Sequence, residues 1–104
     1  MLVLGLDPSS TSTGYGLVRG EGRHLVYFDC GCFRPPKGAD LGERLAALYE
    51  GLTGLLSRTR PDAVALESSF YGRDADAAAK LGEARGVLRL GLRQAGLTLS
   101  LIHI

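Results

Sequence analysis

The sequence has no long hydrophobic run, and this absence sets the first limits on the class of protein. No apolar segment approaches the roughly 18 residues that a membrane-crossing helix needs. The apolar start has no basic residues before it and is interrupted early by Asp7, which is not typical of a secretory signal. These absences predict a cytoplasmic protein without a membrane segment.

Cysteine and histidine are also rare in the sequence, and the net charge is small. Without further thiols or a histidine pair, Cys30 and Cys32 do not predict a metal site, and we expect both to be buried on one face of a strand. His24 and His103 are isolated, and we interpret them as structural or surface residues. The formal net charge is +1, so any binding to nucleic acid must depend on a local basic patch.

The chain has 104 residues, of which 45% are hydrophobic, and this length allows one domain with a modest core over residues 1–104. Short apolar runs between turn residues predict strands, and leucines at helical spacing predict helices. The expected strands are Met1–Leu6, Tyr15–Arg19, His24–Phe33, Ala63–Leu66 and Leu97–Ile104, and the expected helices are Asp40–Arg60 and Asp74–Ala95. Asp40 with Glu43 predicts a capping box. This order predicts an α/β protein with three antiparallel strands followed by parallel strands.

Two acidic residues directly follow predicted buried strands. Asp7 follows the first strand, and Glu67 follows the strand that ends at Leu66. Ligands of open α/β sheets collect at the carboxyl ends of strands, and adjacent strands are roughly 4.8 Å apart. Two carboxylates at that distance repel unless one is protonated or a cation neutralises both. Oxygen ligands favour Mg²⁺ or Mn²⁺, so the pair predicts a metal-dependent enzyme.

Three blocks of the sequence carry a family resemblance. They are Leu4–Ser9 continued by Thr13–Gly16, then Pro61–Glu67 with Phe70, and finally Ala79–Val87. In this order they resemble the RuvC family of Holliday-junction resolvases, in the ribonuclease H-like superfamily. Ser9 departs from the family, which usually has glycine at that position.

The resemblance implies a ribonuclease H-like fold with a mixed five-stranded sheet and flanking helices. It also implies an Mg²⁺-dependent endonuclease that resolves Holliday junctions in DNA recombination and repair. In that interpretation Asp7 and Glu67 are catalytic, metal-binding carboxylates, and the complete enzyme holds two ions. The family further implies a homodimer that acts on four-way junction DNA together with branch-migration proteins.

The resemblance also suggests residues that contact DNA. Phe70 matches an aromatic residue that stacks on splayed bases, and Arg73 matches a position close to DNA. Tyr71, Lys80 and Arg85 are further candidates, because they lie beside Phe70, in the third block, and on a helix face with arginines every four residues. The alternatives are that the aromatics cover the edge of the core, that Lys80 is structural, and that the arginines form a solvated face.

The family's remaining catalytic carboxylates are on a C-terminal helix that this sequence does not match. We therefore expect a single ribonuclease H-like domain that is incomplete at the C-terminus, lacks that helix and is inactive on its own. The alternatives are a nucleotide-binding lobe of the actin and Hsp70 kind, a resolvase-like nuclease of the YqgF kind, and a non-catalytic DNA-binding domain. The block from Lys80 to Gly86 favours the RuvC family over the first two.

Overall fold

Five strands form one mixed sheet, with two helices packed on it. The computed structural model describes residues 1–9, 12–67, 75–97 and 99–102, with the backbone alone for Glu67 and 99–102. The elements are β1 Leu2–Pro8, β2 Thr13–Glu21, β3 His24–Phe33, α1 Leu41–Thr59, β4 Ala63–Glu67, α2 Ala75–Gln94 and β5 Leu99–Ile102. The strand order is β3-β2-β1-β4-β5, with antiparallel pairs among β1, β2 and β3 and parallel pairs of β4 with β1 and β5. The predicted fold class is confirmed.

The first hairpin is longer than the sequence predicts. Asp7 pairs with Gly14 and Pro8 pairs with Thr13, so strand pairing continues into the polar segment between the two predicted strands. The cross-strand hydrogen bonds of an antiparallel ladder extend both strands despite the low strand propensity of these residues. As a result, Asp7 lies inside β1, with paired residues on both sides of it.

The first helix starts where the sequence predicts. The Asp40 carboxylate accepts a hydrogen bond from the Glu43 backbone N–H at 2.8 Å, and the Glu43 carboxylate accepts one from the Asp40 N–H at 3.4 Å. These bonds satisfy two backbone donors that the first turn would otherwise leave unpaired. The helix ends at Thr59, and its C-cap residue Arg60 is left-handed with φ 47°, immediately before Pro61.

The core lies between the two helices and one face of the sheet. Its members are almost all leucines at strand alternation or helical spacing: Leu4, Leu6, Leu17, Leu48, Leu52, Leu55, Leu56, Val64, Leu66, Ala84, Leu88 and Leu92. A fully buried leucine side chain contributes about 1.5–3 kcal/mol. Because the apolar side chains of β1 and β4 point to this face, the intervening residues of those strands belong to the opposite face.

Close packing of α2 depends on one of its three internal glycines. A Cβ added at Gly91 would lie 2.9 Å from a Leu52 methyl group, whereas Cβ atoms added at Gly82 or Gly86 would meet nothing within 4 Å. Close packing against α1 is therefore found at Gly91 and not at the other two glycines.

The expectation of buried cysteines is wrong. Cys30 and Cys32 are both exposed free thiols. They lie on β3, an edge strand, and every residue of β3 except Phe33 is exposed. Strand alternation placed the two thiols on one face, but it could not show that the helices leave this strand uncovered. His24, at the start of β3, is a surface residue, as expected.

In the ranges that the structure describes, no helix combines the length and the apolar character needed to span a bilayer.

The assignment of the chain to one domain, incomplete at its C-terminus, stays a prediction.

Candidate active site

Asp7 and Glu67 come together through the pairing of β1 with β4. The two strands are parallel, and their register ends with Leu6 opposite Leu66. Each strand continues for at least one residue, so the backbone positions of Asp7 and Glu67 are next to each other at the carboxyl edge. Neighbouring strands are roughly 4.8 Å apart. Two residues separated by sixty positions in sequence are therefore neighbours, as the strand-end argument predicts.

The described residues on the β2 side of Asp7 leave that flank open. Its side chain is exposed, and alternation puts it on the face opposite the buried Leu6. On the β2 side its paired neighbour is Gly14, and an added Cβ there would be 4.0 Å from the closest atom, the carbonyl oxygen of Gly31. An oxygen donor with this open flank fits a hard divalent cation, which prefers carboxylate and water oxygens.

Ser9 shapes the turn that follows Asp7. Its N–H and its hydroxyl both donate to the Ser12 carbonyl at 2.8 Å, and its hydroxyl oxygen accepts from the Ser12 N–H at 3.0 Å. Among the described residues the one non-glycine with positive φ is Arg60, so the backbone of Ser9 does not need the conformational freedom of glycine. The serine closes the turn with side-chain bonds that glycine could not make.

The other candidate residues have different positions. Lys80 lines a small cavity together with Ser9 and Ser12, and its ammonium group lies 3.0 Å from the Asp76 carboxylate one helical turn earlier. Arg85 is half-buried and lies five residues further along α2, about 7.5 Å along the helix axis. The structure therefore brings Lys80 to the end of the sheet where Asp7 lies, and Arg85 follows further along the helix. Phe70, Tyr71 and Arg73 lie outside the described residues.

Three basic residues near this edge were not predicted as site residues. Arg34 and Lys37 are in the loop after β3, and Arg44 is in the first turns of α1; together with Ser12 they line a cavity of about 510 Å³. The available signal was three cations within eleven residues around Pro35 and Pro36. Loop residues have no periodicity that predicts a direction, so their convergence is visible in the fold alone.

Comparison with known proteins agrees with this architecture. The family model described as crossover junction endodeoxyribonuclease RuvC matches residues 3–102. The chain is 42% identical over 98 residues to the RuvC of Azorhizobium caulinodans, covering 94% of this chain and 58% of that protein. It is 48% identical over 86 residues to the RuvC of Photorhabdus laumondii, covering 83% and 49%.

A solved structure is also similar. The structure of Thermus thermophilus RuvC in complex with a Holliday junction substrate superimposes with a TM-score of 0.92 at 28% identity, covering 100% of this chain and 66% of that chain. The present chain spans about half the length of the curated relatives it matches. With the strand order, the paired acidic strand ends and a family match over residues 3–102, the chain belongs to the RuvC family of crossover junction endodeoxyribonucleases.

Proposed function

We propose that this chain is part of an Mg²⁺-dependent endonuclease that cuts four-way DNA junctions in recombination and repair, with Asp7 and Glu67 as metal ligands. The observation that carries the proposal is the parallel register of β1 and β4, which sets two acidic residues side by side at an open edge. Two adjacent carboxylates are stable when a cation neutralises their repulsion. Mn²⁺ has the same preference for oxygen ligands and is the alternative ion.

The chemistry follows from this donor set. When bound, divalent ions activate a water molecule and stabilise the leaving oxygen of a phosphodiester, and we propose two ions in the complete enzyme. Asp7 is an exposed residue, so a metal-bound DNA phosphate would reach this position from solvent. Among the residues whose side chains are described, no three His, Cys, Asp or Glu gather into a metal-binding group. The remaining coordination positions would therefore be filled by water, phosphate oxygens or residues outside the described part.

The same proposal includes the DNA contacts and partners implied by the family. Phe70 and Tyr71 would stack on bases, and Arg73, Lys80 and Arg85 would neutralise phosphates. A homodimer, action together with branch-migration proteins and a cytoplasmic location complete the proposal. A nucleotide-binding lobe is not favoured, because the family match extends over residues 3–102.

Nicking of a synthetic four-way junction tests the function. The assay compares Mg²⁺ with EDTA for the 104-residue chain and for a version lengthened to the size of the curated relatives. We expect the lengthened protein to nick in Mg²⁺ but not in EDTA. We expect Asp7→Asn and Glu67→Gln each to abolish nicking. The short chain stays predicted to be inactive.

Glu50→Gln is the matched control, since Glu50 is an exposed carboxylate on α1 away from the carboxyl edge. This variant is expected to nick like the unmodified protein. Equal nicking by Asp7→Asn and Glu50→Gln would remove the carboxylate pair from the mechanism. Junction binding without nicking by the lengthened protein would support the non-catalytic alternative.

A further inference from the structure

A basic pocket lies beside the turn that follows Asp7. It consists of two adjoining cavities that share Ser12, Pro35 and Arg44. The larger cavity, of about 510 Å³, is bordered by the loop from Arg34 to Ala39. The smaller cavity adds Ser9 and Lys80 above an apolar floor. Two loops and both helices therefore contribute to one concave surface.

The charge of this pocket has one sign. Arg34, Lys37, Arg44 and Lys80 border it, which is four of the twelve lysines and arginines in a chain whose net charge is +1. No acidic side chain of the described residues borders either cavity. This local concentration is the basic patch that an overall neutral protein needs in order to bind a polyanion.

The acidic groups at the starts of the two helices, close to the pocket, are already engaged. The carboxylates of Asp40 and Glu43 accept hydrogen bonds from each other's backbone N–H groups in the capping box. Asp76 forms an ion pair with Lys80, whose side chain is 38% exposed while that of Asp76 is 74% exposed. Exposed pairs at this helical spacing contribute little, so the Lys80 ammonium group can exchange Asp76 for a phosphate at small cost.

The side chains suit a phosphodiester group. The planar arginine guanidinium donates paired hydrogen bonds to phosphate oxygens, lysine supplies a mobile point charge, and serine hydroxyls are additional donors. Arg34 and Lys37 are exposed and can reach a ligand from solvent, while Arg44 is half-buried and held by the helix. The pocket thus combines a fixed cation with adjustable ones.

The pocket is also close to the candidate metal ligands. Ser9 follows Asp7 by two residues, so at most roughly 7 Å of chain separates them. Asp7 lies on the face opposite the helices, whereas the pocket opens on the helix side, so the turn at Ser9 and Ser12 lies at the edge between the two. A DNA strand that crosses this edge would present successive phosphates first to one side and then to the other.

We infer that the basic pocket holds a phosphate of the DNA strand next to the phosphate that is cut, an inference that rests on the proposed function. It assigns Arg34, Lys37 and Arg44 to DNA binding. It also names this phosphate as the group that Lys80 contacts. The contact is made to the DNA backbone and is therefore independent of the base sequence.

Salt-dependent binding of fluorescent DNA to the 104-residue chain tests the pocket. A four-way junction and a linear duplex are titrated in EDTA by anisotropy from about 50 to 200 mM salt, with an unmodified chain and an Arg34→Gln, Lys37→Gln double variant. Each lost phosphate contact lowers the slope of log K against log salt by about 0.9. Because the pocket is proposed to hold one phosphate, we expect the magnitude of the slope to fall by about 1, and the affinity for both DNAs to fall by about tenfold.

The matched control is Arg23→Gln with Arg58→Gln. Both arginines are exposed and lie at the end of the sheet remote from Asp7, in the hairpin after β2 and in the last turn of α1. This variant loses the same charge and is expected to keep the original slope. An unchanged slope in the pocket variant, an equal loss in the control, or no DNA binding by the unmodified chain would each overturn the inference.

Two readouts separate this inference from the proposed function. Junction nicking and the preference for junction over duplex report on the function, while the slope reports on the pocket, and the pocket variant is expected to keep the preference. Inorganic phosphate, added at matched ionic strength, is expected to leave DNA binding unchanged. Displacement of DNA by phosphate at low concentration would identify a site for the free ion and contradict the assignment to DNA.

Discussion

Replacing Gly91 with alanine is expected to lower the stability of the protein relative to the same replacement at Gly86. Both glycines are in α2, in helix interior positions five residues apart. They differ in their surroundings, because Gly91 is buried against α1 while the Gly86 position is open to solvent. The pair therefore isolates the packing contribution from the helix propensity.

The magnitude follows from two opposing effects. Alanine is favoured over glycine inside a helix by about 1 kcal/mol, and at Gly86 this gain is expected almost in full, because nothing lies within 4 Å of the added Cβ. At Gly91 the Cβ would meet a methyl group of the fully buried Leu52 at 2.9 Å. Overpacking of this kind costs about 1–3 kcal/mol and offsets the gain. The Gly91 variant is therefore expected to be less stable than the Gly86 variant by about 1–3 kcal/mol.

Equilibrium unfolding in urea and thermal melting measure this difference. About 1 kcal/mol corresponds to about 4–8 °C in Tm for a small domain, so the two variants are expected to melt at least about 4 °C apart. Gly82→Ala, at a second open position in the same helix, is expected to behave like Gly86→Ala. Equal stabilisation by alanine at Gly86 and at Gly91 would refute the close contact between α1 and α2.

Three further changes test the cap, the edge strand and the strand register. The hydrogen bond from the Glu43 backbone N–H holds the pKa of Asp40 below its usual 3.8, so its ionised form stabilises the fold above that pH, and this contribution is lost as pH falls through the lower folded-state value. The difference in Tm between the unmodified protein and Asp40→Asn is expected to shrink on acidification, and a constant difference would contradict the cap. Cys30 and Cys32 are both expected to react with a thiol reagent in the native protein as fast as in urea, and a protected thiol would contradict their exposure. Asp62→Ala is expected to reduce the free energy of unfolding by about 1 kcal/mol and Asp62→Asn by less, because the amide oxygen can still accept the Leu2 N–H; equal losses would exclude this bond.

Local signals in the sequence predicted the elements whose ends are set locally. The bounds of β3 and the start of α1 are as expected, because turn residues and the bonds between Asp40 and Glu43 act within a few positions. The start of β2 was misplaced, because Thr13 and Gly14 become a strand through pairing with residues across the hairpin. The exposure of the cysteines was missed for a related reason, since alternation gives the face of a strand but not its place in the sheet.

The candidate site divides in the same way. The neighbourhood of Asp7 and Glu67 was predictable, because both directly follow apolar runs and parallel strands end at one edge. The approach of Lys80 to the turn at Ser9 depends on how α2 packs, and the basic loop around Arg34 depends on where α1 directs it. These positions are set by tertiary packing, which no local pattern in the sequence encodes.

The position of the carboxylates depends on the same register that fills the core. At the start of the two strands, the Leu2 N–H donates to the Asp62 carboxylate at 2.7 Å, and the Asp62 N–H donates to the Leu2 carbonyl at 2.8 Å. Five residues later along each strand, the same alignment makes Asp7 and Glu67 neighbours. Because side chains alternate between faces, a slip of one residue would turn Leu66 out of the core and separate the acidic residues. The same strand register therefore buries the leucines and places the site. Substitutions at the far end of β1 and β4 are expected to affect both.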